Sequence, residues 1–360
     1  MTAGVERNVV MQKRNGNIEA FRIILMLGVI AFHILHYGNI FERADGPTTT
    51  ILWLIKSFAN LSVNCFVLIT GYFQCQSTFK PRKLMALVTQ VFFWSVVCYA
   101  AYLLAGGQLQ RKGLVQTLLP WLIGGNWFAI VYIALYLISP FLNIFLRALD
   151  RRQATALLVL LIALFCTPMY AEQLALQPLG FPWFLVVYFV GAYLRLYPPR
   201  RRPALWAALL LLSVAGLWLL RLIPMPGWEK IPEYLWNYNS YLPLCGAVAA
   251  FLLFLWRRER MYPRWVFRLA GVTFGIYLIH DNYFFQDVIW AQGLIALLPA
   301  QITLREIWIF PATLAVIFIA CGALEYGRQA LFRALRMEKL EAKIADAAQR
   351  GYDKFCGLLR

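Results

Sequence analysis

The 360-residue chain holds three histidines, and they fall in two short stretches. His33 and His36 end the run NIEAFRIILMLGVIAFHILHYG, behind Glu19 and Arg22. His280 lies in FGIYLIHDNYFFQD, beside Asp281, Asn282 and Asp287. Histidine changes charge near neutral pH, which suits it to take a proton from a weak nucleophile such as a hydroxyl. Both stretches are otherwise apolar. Ionisable groups in apolar helices are costly and usually mark a functional path.

Helical geometry sharpens this. Arg22 and His33 are 11 residues apart. At 100° per residue that is about 1100°, within ~20° of three full turns, so both side chains share one face, about 16.5 Å apart along the axis. A fixed cation then stands near one end of the helix and an imidazole deep within it. The plainer alternative is a snorkelling arginine and a hydrogen-bonded core histidine. His280 follows Arg268 by 12 residues, which puts it about 18 Å into its own helix, a depth like that of His33. The two rings either face one cavity or make an interhelical hydrogen bond without chemistry. His36, one turn above His33 and rotated by about 60°, is expected at the mouth or behind the reacting group.

These residues need an apolar frame, and the composition supplies one. Hydrophobic residues make up 61% and charged residues 14%, with mean hydropathy +0.62. Soluble domains run near 45–50% and about 25%, so a soluble enzyme is excluded, as is disorder. A spanning helix needs about 20 apolar residues. The chain is expected to be an all-α membrane bundle of about ten spans, near 18–38, 51–74, 84–105, 126–146, 153–170, 181–197, 204–222, 240–256, 267–287 and 304–325. The stretch LVQTLLPWLIGG before the fourth span reads as interfacial or re-entrant. The first span carries no small-residue cleavage site and is expected to be retained. No internal repeat is visible.

Net charge is +17. In a soluble protein this would suggest nucleic acid; here nucleic acid is not expected, because the charge sorts by loop. With the N-terminus inside, 26 basic residues fall on the cytoplasmic side and 6 (Arg43, Arg111, Lys112, Arg221, Lys230, Arg305) outside. Arg22 and Lys56 lie within spans. This asymmetry predicts cytoplasmic termini and a multi-pass protein of the inner membrane. Two parts are expected: a transmembrane domain over 1–325 and a basic amphipathic tail over 326–360. In the tail Leu340, Ile344, Ala348 and Tyr352 recur at four-residue spacing, suited either to the anionic inner leaflet or to a solvated helix. The seven cysteines, an odd number without CxxC, read as small buried hydrophobes, and no metal site is expected.

The chain resembles the integral-membrane acyltransferase family three, which includes bacterial O-acetyltransferases of surface polysaccharides. The likeness rests on arginine, ten residues, histidine (Arg22 to His33), with SVNCFVLITGYF at 62–73, NWFAIVYIALYLISPFLN at 126–143 and FGIYLIHDN at 274–282. The resemblance implies transfer of an acyl group, usually acetyl from acetyl-CoA, to a carbohydrate hydroxyl. On this resemblance, together with its depth and its alignment with Arg22, His33 is expected to be the catalytic base or transient acyl carrier, with His280 as the rival, and Arg22 is expected to contact CoA. Where members carry paired arginines after the second span, this chain has Lys80, Arg82 and Lys83. Lysine attracts phosphate as a point charge, without the arginine fork.

Attack on a thioester also builds negative charge on the carbonyl oxygen, which needs fixed donors. Tyr72, Asn126, Trp127, Tyr132 and Asn282 are the choices left open, with Glu19, His36 and Asp281 behind them. The aromatic segment 221–241, with Trp228, Tyr234, Trp236 and Tyr238, either stacks on sugars or forms an interfacial belt. The competing reading is an exporter of a glycan or lipid-linked sugar, which would show broken helices lining a midplane site.

Overall fold

A computed structural model of the chain describes residues 15–358, apart from 124, 168–179, 223–229, 259–260, 287–289, 291–292 and 294–297. Asp287, Trp228 and the first three expected cytoplasmic cations, Arg7, Lys13 and Arg14, lie outside the described residues. Among the described residues the fold is helical, with no β-strand. Seven helical segments among the described residues are long and apolar enough to cross a membrane: Gly16–Tyr37, Gly46–Gln74, Pro81–Leu104, Trp127–Ala148, Pro203–Leu222, Ile231–Leu255 and Ile309–Ala334. The chain is a multi-pass membrane protein.

The elements run as α1 (Gly16–Tyr37), α2 (Ile40–Arg43), α3 (Gly46–Ala59), α4 (Ser62–Gln74), α5 (Pro81–Leu104), α6 (Arg111–Leu118), α7 (Trp127–Ala148) and α8 (Arg151–Cys166). They continue with α9 (Phe181–Leu196), α10 (Pro203–Leu222), α11 (Lys230–Trp236), α12 (Tyr241–Leu255), α13 (Arg264–Ala270), α14 (Thr273–His280), α15 (Tyr283–Phe285), α16 (Ile309–Ala334) and α17 (Met337–Leu358). Three of the ten expected spans have no counterpart among these seven segments. Segments 153–170 and 181–197 become α8 and α9, of 16 residues each. Segment 267–287 is broken into α13, α14 and α15. Gly271 closes α13, and Asn282 stops the chain by turning its side-chain oxygen onto the Phe284 N–H at 3.1 Å.

α1 is the hub, touching α2, α3, α4, α12, α13, α14 and α16. Its start is set by Asn15, whose side chain accepts from the N–H groups of Asn17 and Ile18. Two apolar cores flank it. One is built on α4, α9 and α12 around Leu68, Val187, Trp183 and Phe251. The other gathers α5, α14 and α16 around Trp94, Ile276 and Cys321.

Lipid is as apolar as leucine, so close packing and hydrogen bonds hold such helices together. Glycine does this between α4 and α9. A Cβ on Gly71 would collide with the Tyr188 carbonyl, and one on Gly191 would lie 2.5 Å from the Leu68 carbonyl. Buried amides add bonds: Tyr188 Oη donates to Asn143 Oδ1 at 2.7 Å, and Trp183 Nε1 to Asn64 Oδ1 at 3.0 Å. Cys65, Cys75, Cys98, Cys166 and Cys321 are buried free thiols.

α16 runs past residue 326 to Ala334, so Arg328 and Arg333 belong to its rod. α17 then folds back onto α5. Arg82 reaches both oxygens of Asp346 at 3.3 Å, and Ala345 is buried while Leu340 and Ile344 stay exposed.

Candidate active site

A cavity of about 850 Å³ follows α1 from Arg22 to Tyr37. At the Arg22 end it is bordered by Lys83, Gln90, Arg328 and Arg333, with Glu338 and Glu341 of α17 at the rim. Its middle is apolar and aromatic, with Met26, Val29, Phe66, Phe128, Tyr132 and Tyr277. At the Tyr37 end it meets His36, Lys56, Arg221, Trp236 and Tyr238. The length follows from α1, since the 15 residues from Arg22 to Tyr37 rise about 22 Å.

His33 lines this cavity and His280 stands behind it, fully buried. The break after α14 explains the pairing. His280 is the last residue of α14, and its Nδ1 lies 2.7 Å from the Ile276 carbonyl one turn back. A carbonyl only accepts, so Nδ1 carries the proton and Nε2 of neutral His280 offers its lone pair. His33 Nδ1 lies 3.0 Å from that nitrogen and must donate to it. The unprotonated nitrogen of His33 is therefore Nε2, on the ring edge turned from His280. The assignment follows from the hydrogen-bond network.

Asp281, 1% exposed, completes the cluster. Its Oδ1 lies 3.6 Å from His33 Nδ1 and accepts from Gln286 Nε2 at 3.2 Å. The turn at residues 281–282 brings this carboxylate back toward α1. Asn126 anchors the turn by donating to the Asp281 carbonyl at 3.2 Å. The arrangement has the parts of a triad: an imidazole with a free lone pair, a partner fixing its tautomer, and a carboxylate near the charge that protonation would create.

The other predicted residues divide. Arg22, His36, Lys83, Trp127 and Tyr132 line the cavity with His33. Trp127 and Tyr132 make no side-chain hydrogen bond to the described residues. Glu19 is buried and meets Arg22 at 3.4 Å. Elsewhere, Tyr72 accepts from Arg195 at 3.1 Å, and Asn282 spends its side-chain oxygen on its own turn. The Lys80 backbone bonds the Tyr136 hydroxyl, and Arg82 is turned to Asp346. Of the aromatic segment, Trp236 and Tyr238 reach the cavity.

Sequence reading passed over Tyr37, Lys56, Gln90, Arg221, Tyr277 and Arg328. For Arg328 a signal existed: Glu325 stands one turn before it. That carboxylate is fully buried and takes Arg328 Nε at 2.9 Å and Nη2 at 2.6 Å. Trp94 Nε1 also donates to it at 2.7 Å.

The helical membrane bundle thus encloses a long cavity with His33 on its wall and His280 buried behind it. The chain belongs to acyltransferase family 3, whose acyltransferase domain matches residues 15–326. It is an acyltransferase. Comparisons with curated proteins and with solved structures give no match.

Proposed function

We propose that the protein is an inner-membrane O-acyltransferase that moves an acyl group, acetyl in the first instance, from acyl-CoA to a hydroxyl of a cell-envelope glycan or lipid-linked sugar. The observation that carries this is the continuous cavity from Arg22, past His33, to Lys56 and Arg221. The loop charges argue that the Arg22 end faces the cytoplasm, where acyl-CoA is found. Arg22, Lys83, Arg328 and Arg333 offer that mouth cationic N–H donors for the phosphates of CoA, with Glu19 and Glu325 holding Arg22 and Arg328 in place. The apolar middle fits a pantetheine arm, and its length brings the thioester to His33.

In the proposed chemistry, His33 Nε2 takes the proton of the acceptor hydroxyl as that oxygen bonds to the acyl carbon. The carbon–sulfur bond breaks, and His33 returns the proton to the departing thiolate. The imidazolium formed between these steps keeps its Nδ1–H on His280 and has Asp281 3.6 Å away. The Tyr132 hydroxyl and the Trp127 indole N–H, both on the cavity wall, are the donors offered to the carbonyl oxygen.

Radiolabelled acetyl-CoA supplied to membrane vesicles tests the reading. Label should appear as an alkali-labile ester in a glycan or lipid-linked sugar fraction, and His33→Ala should lower transfer by about 10²–10⁴-fold while acetyl-CoA still binds. Undiminished transfer by His33→Ala would remove His33 as the base. Absence of label from any glycan or lipid-linked sugar in wild-type vesicles would remove the activity.

A further inference from the structure

The far end of the cavity contains two cations with no carboxylate between them among the described residues. Lys56, on the last turn of α3, is 8% exposed, and its Nζ lies 5.1–5.2 Å from the rings of Phe32, Phe41 and Trp53. Arg221, on the last turn of α10, lies 5.1 Å from the same Trp53 ring and 5.0 Å from Trp236. Neither side chain makes a hydrogen bond or ion pair to a described residue, and Arg221 Nε is buried without a partner. Glu233, which is exposed, is the acidic residue in electrostatic range of Arg221.

Two like charges on one indole repel each other, and burial removes the water that would screen them. Ring faces offset part of that cost but give the N–H donors no acceptor. The walls that hold the cations together are fixed. Asn60 Nδ2 bonds the Trp236 carbonyl at 2.8 Å, and Trp236 Nε1 bonds the Leu217 carbonyl at 2.8 Å. A rigid, aromatic-walled pocket lined by two cations that share the Trp53 ring and lack an acceptor among the described residues suits an anion.

We propose that Lys56 and Arg221 bind an anionic group, phosphate or carboxylate, on the acceptor sugar, so that the enzyme's acceptor class is acidic rather than neutral. The inference rests on the acyltransferase reading for the word acceptor, but the anion site stands apart from it. The Phe32 ring links the two places: it is 5.2 Å from Lys56 Nζ and 6.3 Å from the His33 ring. A sugar held at its anionic group by Lys56 and Arg221 can therefore present a hydroxyl to His33 across Phe32, with His36 and Tyr238 beside it.

The test is equilibrium binding of radiolabelled glucose 1-phosphate, glucuronate and glucose to the purified full-length protein in detergent, without acyl-CoA. At least one anionic sugar should bind saturably and be displaced poorly by glucose. Preference for glucose 1-phosphate names a phosphate, preference for glucuronate a carboxylate, and either supports the site. Lys56→Gln and Arg221→Gln should each weaken that binding by about 10–100-fold, and Lys56→Arg should retain most of it. Equal binding of all three sugars, no binding of either anion, or unchanged affinity in both glutamine variants would overturn the proposal. The wild-type comparison decides even if a glutamine variant fails to fold. Acetyl transfer from labelled acetyl-CoA is scored separately: anion binding without transfer to any sugar defeats the acyltransfer reading alone, and transfer to neutral sugars without anion binding defeats this inference alone.

Discussion

His33 has its ring orientation decided by a neighbour with no chemical freedom of its own. Because His280 gives Nδ1 to the Ile276 carbonyl, it can only accept from His33, which leaves His33 Nε2 basic. His280→Ala removes that acceptor and leaves Asp281, at 3.6 Å, as a weaker substitute. Its expected loss is about tenfold, the worth of one hydrogen bond, against the far larger loss in His33→Ala. Single-turnover transfer rates for the two variants decide the order. A dead His280→Ala beside an active His33→Ala would move the base to α14. The sequence made both histidines legible, since counting residues from each inner helix end put them at one depth. Asp281 was not rankable against His36, because its direction comes from a helix break, which has no period to read. Lys56 was passed over for a related reason: beyond Trp53 on its own helix, its partners are the Phe32 and Phe41 rings of α1 and α2, which no spacing along one helix reveals.

Among the elements, α5 and α16 are held together at the Arg22 end by a single carboxylate. Glu325 accepts from Gln90 at 3.2 Å, Trp94 at 2.7 Å, Gln329 at 3.0 Å and twice from Arg328. These bonds set Arg328, 10% exposed, at the cavity wall. Glu325→Ala strands that guanidinium and the Gln90 and Trp94 donors, while Gln329 keeps the Gly271 carbonyl at 3.2 Å. Breaking a buried pair by losing one partner costs about 3–5 kcal/mol, so the thermal midpoint in detergent should fall sharply, with acetyl-CoA affinity falling beside it. An unchanged midpoint would show that the cluster does not hold the helices. Apolar runs told where most helices lie, and the long ones, such as α1, α5 and α7, match the expected spans closely. They did not tell where helices stop. α3 begins at Gly46 because Asp45 caps it, accepting from the Thr48 N–H at 2.9 Å, and the expected ninth span breaks because Gly271 and Asn282 satisfy its backbone locally.

For the molecule as a whole, the two ends of the cavity differ in what surrounds them. The Arg22 end is roofed by α17, whose Met337, Glu338 and Glu341 stand at its rim. The Tyr37 end is walled by aromatic side chains of α3 and α11. The sequence hinted at this polarity through its loops, where 26 basic residues fall on one expected side and 6 on the other. It could not show that the tail packs against α5 as well as presenting an apolar face, because the buried Ala345 and the exposed Ile344 are sequence neighbours only about 100° apart on one helix. The charge asymmetry predicts that the α17 end is cytoplasmic. Periplasmic reporter enzyme fused after Gly106, between α5 and α6, should be active, and the same enzyme fused after Arg201, between α9 and α10, should be inactive. Activity at Arg201 with silence at Gly106 would invert the protein. It would put the Lys56 and Arg221 end toward the cytoplasm, and the donor would then have to enter by the anion pocket.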